Sequence, residues 1–204
     1  MALKTNYKFS FFGDDENIFV ENYSYDLAAD EKKRGGQFFI TIEIRNNLSN
    51  AKAIGEKIFD AMRRYFSLNL NEESYKRFKN SLKEVNKVLD KLNDEKNFPH
   101  TDDLSVLIGF IADEDLYLTQ MGDTTAYLAR NDSIEVISQG LSEKRSDTFT
   151  NVAKGKVKAG DFVIFSSIPL FQYISRVDLA KVLDVSTLTD SLSELNELIS
   201  TKIS

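Results

Sequence analysis

The sequence predicts an α+β protein of layered build, with two antiparallel sheets face to face and helices covering the outer faces. Three observations predict it. Strand-like segments open the chain, two long amphipathic helices interrupt them, and strands return before the chain ends in helices. Connections between the strands are short, which favours antiparallel pairing. Elements with a single apolar face bury it most economically in stacked layers.

The opening third alternates as strands do. "YKFSFF" (Tyr7 to Phe12), "NIFVENYSY" (Asn17 to Tyr25) and "QFFITIEI" (Gln37 to Ile44) are rich in aromatic and β-branched residues, separated by "GDDE" and "AADEKKRGG". The period then changes. Leu48, Ala51, Ile54, Ile58, Met62 and Tyr65 recur at steps of three and four, the stripe of an amphipathic helix capped by Asn46 or Asn47. A second stripe, Tyr75, Phe78, Leu82, Val85, Leu89 and Leu92, predicts an antiparallel partner helix rather than a coiled-coil dimer, because it is so short.

From Leu104 the strand signal resumes. "LSVLIGFI", "LYLTQM", "TAYLAR" and "SIEVIS" read as a four-stranded meander, with "DED" and "ND" as hairpin turns and Gly122-Asp123 as an interruption. The polar "QGLSEKRSDTFTNVAKGKVKAGD" reads as a surface excursion anchored by Phe149 and Val152. "FVIFSS" (Phe162 to Ser167) is the last strand. Helices are predicted over Arg176 to Leu183 and along the stripe Leu188, Leu192, Leu195, Ile199 and Ile203.

Composition excludes several functions. At 204 residues and 42% hydrophobic, the chain suffices for one core, and a single domain over 1–204 is expected. The net charge of −6, with the Lys and Arg of "EKKRGG" and "MRRYF" offset by nearby acids, gives no reason to expect a nucleic-acid partner. Absence of cysteine excludes disulfides, thiolate metal sites and cysteine nucleophiles. The single histidine, His100, follows Pro99 in a polar connection and reads as a loop residue, so a Ser-His-Asp triad has no good base. No apolar run nears the ~20 residues of a membrane span, and the N-terminus lacks a signal-peptide core. No membrane association and a cytoplasmic location are expected.

"LYLTQMGDTTAYLARND" resembles the strand, Gly-Asp, strand, hairpin segment of the metal-dependent protein serine/threonine phosphatases of type 2C. "GKVKAGDFVIFSSIPLF" is similar to that family's Gly-Asp, apolar strand, Ser-Asp-Gly-Leu segment. "FFITIEIRNN" before the Leu48 helix is similar to its strand ending in Asp-Gly. The resemblance spans nearly the whole chain in the right order. It implies a four-layer αββα sandwich with a two-metal centre at one end of the facing sheets. In such a centre carboxylates hold Mg²⁺ or Mn²⁺, and a bridging water attacks a phosphate monoester. That chemistry needs neither histidine nor cysteine.

The resemblance also implies an eroded centre. Where the family places its bridging aspartate and a glycine, this chain has Glu43-Ile44, whose extra methylene and branched neighbour misplace the carboxylate. Where the family has a second metal-binding aspartate, it has Ser167. Val20-Glu21-Asn22 stands for the family's Asn-Glu-Asp, keeping Glu21 and neutralising the next position. The family's final Asp-Asn has no counterpart in these residues: either the family's last strands are missing or this is the front part of a longer protein. Asp123 is kept, where the family has an additional metal site or supporting hydrogen bonds. A purely structural role is the alternative, with Gly122 permitting a bulge and the Asp123 carboxylate accepting backbone N–H groups.

Glu43, Asp123, Ser167 and Glu21 are therefore expected to be vestigial positions of a metal centre, with no catalytic residue and no cofactor. The expected function is a catalytically inactive phosphatase-like domain acting as a regulatory or binding module, with a protein partner. Two alternatives stand beside it. One is an active phosphatase using Mg²⁺ or Mn²⁺ and an altered ligand set of Glu43 and Asp123 with Glu21 or Glu114, for which the acid-rich "GDDE" (Gly13 to Glu16) and "DED" (Asp113 to Asp115) are further candidates, hairpin turns being their simpler reading. The other is a structural or assembly domain, of which exposed helix stripes would be the sign.

Overall fold

A computed structural model describes residues 6–9, 16–27, 35–46, 48–93, 101–131, 133–141, 149–184 and 187–203. In chain order its elements are strands β1 (Ile18–Leu27) and β2 (Gly36–Arg45), then helices α1 (Ala51–Leu68) and α2 (Ser74–Asn93). Strands β3 (Leu104–Ala112), β4 (Asp115–Met121), β5 (Thr125–Arg130), β6 (Ser133–Val136), β7 (Ala153–Lys156) and β8 (Phe162–Ser166) follow, and α3 (Arg176–Leu183) and α4 (Leu188–Ile203) end the chain. The strands form two antiparallel sheets, a five-stranded one in the order β1-β2-β3-β4-β7 and a three-stranded one in the order β6-β5-β8.

Alternation along the strands builds the layers. On β2, Phe38, Ile40, Ile42 and Ile44 are wholly buried against α1 and α2, joined by Phe66, Phe78 and Phe110. The Phe66 and Phe110 rings meet edge-on at 4.7 Å. Arg77 of α2 is buried there too, its guanidinium 5.2 Å and 5.3 Å from the Phe66 and Phe110 rings and bonded to the Gly35 carbonyl. Leu107, Leu118, Ala126, Val163 and Phe165 pack between the two sheets. On the far side Tyr127 and Ile134 pack against α3 and α4. The result is the expected αββα sandwich. The α4 stripe of Leu195 and Ile199 is consumed in this last layer, so it is not an exposed stripe awaiting a partner.

Several local expectations are corrected. The meander of four strands does not form: β3 and β4 belong to the larger sheet and β5 and β6 to the smaller, so the chain changes sheet at Gly122-Asp123. Gly122 adopts φ +74°, and Asp123 donates its backbone N–H to Ser105 Oγ at 3.0 Å, which turns the chain out of the first sheet. The polar excursion hides β7, an exposed edge strand whose "AKGK" has too few apolar residues to announce it. Its anchor Phe149 is buried as expected, held by Asn86, whose side chain bonds both its carbonyl and its N–H.

The α1 cap is Asn50, not Asn46, which instead adopts φ 63° and donates to Asp103 Oδ1 at 2.7 Å; Asn47 lies outside the described residues. Residues 7–9 of the expected first strand are not strand. Tyr7 there lies edge-on to Phe39 at 5.4 Å, and the rest of that segment lies outside the described residues, as does His100.

Candidate functional site

The inner face of β2 departs from hydrophobic alternation. Thr41 and Glu43 point toward the smaller sheet, and both are buried; Glu43 is only 2% exposed. Its cross-strand neighbours are Val20 on β1 and Ser105 on β3. A buried carboxylate needs compensation. Arg45, two residues on and therefore on the same face, supplies it: its Nε donates to Glu43 Oε1 at 2.6 Å. The Arg45 side chain is 44% exposed, so the pair runs from the interior to the rim. Beside it, Thr41 donates to Asn22 Oδ1 at 2.7 Å, a polar pair across β1 and β2.

Ser105, buried next to Glu43, connects this face to the sheet crossing by accepting the Asp123 N–H. The Asp123 carboxylate itself is exposed, so the turn is held by the backbone of Asp123 and not by its side chain. Gly122 is packed so closely on β3 that an added Cβ would lie 2.7 Å from Ser105 Cα and 2.8 Å from the Leu104 carbonyl oxygen. On the smaller sheet Thr125 pairs with Ser166, which places Ser167 at this same end. The loop after β8 is tied down by Ser166 Oγ, which bonds the Ile168 carbonyl and N–H, and by Leu170, which donates its N–H to the Tyr127 hydroxyl at 2.9 Å. Burial raises that phenol's pKa.

Glu43, Asp123 and Ser167 therefore come to one end of the facing sheets. Glu21 does not join them. It pairs with Ile42, on the face turned to the helices, between Phe19 and Tyr23, which pack into the helix-side core. The Tyr23 phenol is raised well above its usual range, by burial first and then by Glu21. It is Asn22 that shares the inner face with Glu43, the neutral residue of the pair.

Glu114 lies in the β3–β4 hairpin, where Asp113 adopts φ 55°. Seven residues separate Ser105 from Ala112 along β3, about 23 Å at ~3.3 Å per residue, so this hairpin is at the opposite end of the sheet. Asp115 there is engaged by Lys156 at 2.8 Å and Lys154 at 3.4 Å, and the Lys156 hydrogen bond holds its carboxyl below the usual range. The neighbouring Tyr117 is pushed up to about 12 by burial, with Asp115 adding to it. Of the acid-rich "GDDE", Glu16 is exposed at the Arg45 end and the other three residues lie outside the described ones. Among the described residues, no group of three or more acids or histidines is placed to hold a metal ion.

Two participants were missed in the sequence. Arg45 was visible as Glu-Ile-Arg, an acid and a base two apart on a strand and hence on one face. Ser105 had no local signal, because its role depends on the crossing 18 residues later.

No protein-family model matches the sequence, and no curated protein sequence matches it. Solved structures do. The Mycobacterium tuberculosis serine/threonine phosphatase PstP/Ppp is 12% identical, with 91% of this chain and 93% of that one covered at a TM-score of 0.62. Serine/threonine phosphatase Stp1 from Staphylococcus aureus is 10% identical, with 98% and 95% covered and a TM-score of 0.63. PppA of Pseudomonas aeruginosa, described as a key regulatory component of T6SS, is 15% identical, with 92% of each chain covered and a TM-score of 0.61. The chain has the αββα sandwich fold of the type 2C serine/threonine phosphatases.

Proposed function

We propose that this chain, as a single module over 1–204, is a catalytically inactive phosphatase-like domain that serves as a regulatory or binding module for a protein partner. One observation carries this: the buried acid at this end of the inner face already has a cation of its own. Arg45 donates to Glu43 at 2.6 Å, and a guanidinium so placed competes directly with a divalent ion for the same oxygen. A solved PstP catalytic domain holds two manganese ions. Two hard divalent cations require several oxygen ligands, most of them carboxylates. Among the described residues, those beside Glu43 are Asn22, Thr41 and Ser105, and the residue after β8 is Ser167. All are neutral. They do not fit a two-metal centre.

The altered ligand set has less support than the sequence allowed. Glu43 and Asp123 share one end of the sheets, with the exposed Glu16 near it, whereas Glu21 faces the helices and Glu114 lies at the opposite end. No described helix is long and apolar enough to cross a membrane, and we place the module in the cytoplasm.

Titrating the purified chain with Mn²⁺ in a calorimeter, then assaying para-nitrophenyl phosphate hydrolysis on the same sample, tests the proposal. The expected result is no binding below millimolar metal and no turnover. Micromolar binding, with turnover abolished by Glu43→Ala and Asp123→Ala, would establish an active phosphatase instead.

A further inference from the structure

The outer surface of α2 is basic in a chain whose net charge is −6. Eight residues of this helix are exposed, and five are lysines: Lys76, Lys79, Lys83, Lys87 and Lys91, against one acid, Asp90. Their spacing of 3, 4, 4 and 4 puts them in one row along four turns, about 22 Å at ~1.5 Å per residue. In the sequence the row is broken up by core residues, so no charge run reveals it.

A helix face that is merely solvated gains from alternating its charges, because opposite charges at i,i+4 stabilise it and like charges destabilise it. This row does the reverse: 79–83, 83–87 and 87–91 are three successive like-charge steps. Neutralisation is partial. Lys76 approaches Glu72 at 3.6 Å and Lys87 approaches Glu84 at 2.6 Å, yet the two lysine side chains remain 69% and 65% exposed. Among the described residues, Lys83 bonds the neutral Asn80 Oδ1. Phe78, Leu82, Val85, Leu89 and Leu92 hold the opposite face in the core, so the row is rigidly presented.

We infer that this lysine row docks an acidic α-helical segment of a partner protein, with carboxylates at i,i+4 lying along it. An acidic helix has the same period and meets all five lysines. A lipid surface is disfavoured because every large apolar residue of α2 except the half-exposed Tyr75 is turned inward, leaving nothing to insert. A nucleic-acid duplex is disfavoured because Glu84 and Asp90 border the row and would face its phosphates. The inference holds whether or not the domain turns over phosphate.

The test is fluorescence anisotropy on the full chain, at about 50 mM salt, with a labelled alanine-based helical peptide bearing glutamate at every fourth position. We expect saturable binding that weakens at least about tenfold in Lys79→Glu/Lys83→Glu/Lys87→Glu, while Lys52→Glu/Lys202→Glu on other helices leaves it within about twofold. Circular dichroism checks that the triple variant folds, and Lys83→Gln/Lys87→Gln, which adds no repulsion, should weaken binding by a smaller factor. The inference is overturned by unchanged affinity in the triple variant or by absence of binding to the wild type. Equal binding of a peptide with its glutamates at every second position, or tighter binding of single-stranded DNA or of phosphatidylglycerol vesicles, overturns it as well.

Discussion

Replacing Gly122 with alanine measures how much of the Gly-Asp pair is architecture. Two costs are distinct at this position. A non-glycine residue at φ +74° gives up roughly 1 kcal/mol. The new Cβ would also lie 2.7 Å and 2.8 Å from Ser105 Cα and the Leu104 carbonyl oxygen, both backbone atoms of a central strand that cannot swing aside. Forcing such an overlap costs about 1–3 kcal/mol. The sum is about 3 kcal/mol, and at ~2–4 °C per kcal/mol for a domain of this size Tm should fall by roughly 6–12 °C. Gly140 separates the two costs, because it has φ +79° with nothing within 4 Å of its added Cβ. Gly140→Ala should lose only about 2–4 °C. Gly155→Ala, with no positive φ and open space around it, should change almost nothing. Thermal unfolding followed by circular dichroism reads all three. If Gly122→Ala is no worse than Gly140→Ala, the packing of the turn on β3 is not what demands glycine there.

Arg45→Ala should cost about 1–3 kcal/mol, because it leaves the Glu43 carboxylate buried without its guanidinium; urea midpoints of Arg45→Ala and of Arg45→Ala/Glu43→Gln test this, the second being the more stable. Arg77→Ala should cost about 3–5 kcal/mol by opening a cavity between Phe66 and Phe110, again read from urea unfolding. Acid should destabilise through Asp161 and Asp115, whose carboxyls are held below the ordinary 3.8 by hydrogen bonds from Arg130 and Lys156. The unfolded chain takes up those protons first, so stability is complete above about pH 5 and declines as pH drops through 3.8 toward the lower folded values. Asp161→Asn should flatten that slope in a series of urea midpoints against pH. Tyr117 acts with the opposite sign: its phenol is raised to about 12, so stability is lost as pH climbs from 10, where the unfolded chain ionises, and Tyr117→Phe should reduce that loss, with Tyr23 and Tyr127 contributing to the rest.

The layers were legible because periodicity reports which face of an element is buried. Ile40, Ile42 and Ile44 at steps of two, and Phe78, Leu82 and Val85 at steps of three and four, state their burial directly. Pairing partners are a different kind of information. Nothing in the alternation of β5 itself tells it to join β8 rather than β4. The positive-φ turn at Gly122 and the Ser105 hydrogen bond mark where the chain crosses over. The same limit applied to Glu21 and Glu43. The family-like spacing brought both to mind as one centre, but cross-strand register sets Glu21 opposite Ile42 and on the other face. An edge strand such as β7, paired on one side and lysine-rich, carries almost no apolar signature at all.

The change of sheet at Gly122-Asp123 also has a consequence for how the protein comes apart. The larger sheet is completed by β7, which is made after β5 and β6 have already gone to the smaller one, and the smaller sheet waits for β8. Each sheet is thus interleaved in sequence with the other, and no single cut divides the chain into a fragment for each. Loss of either layer would turn the connections through it into long open loops and expose the apolar face it covers on the other. Such a chain is expected to unfold in one cooperative transition, and to fold slowly because its closing pairs, β4 with β7 and β5 with β8, are distant in sequence.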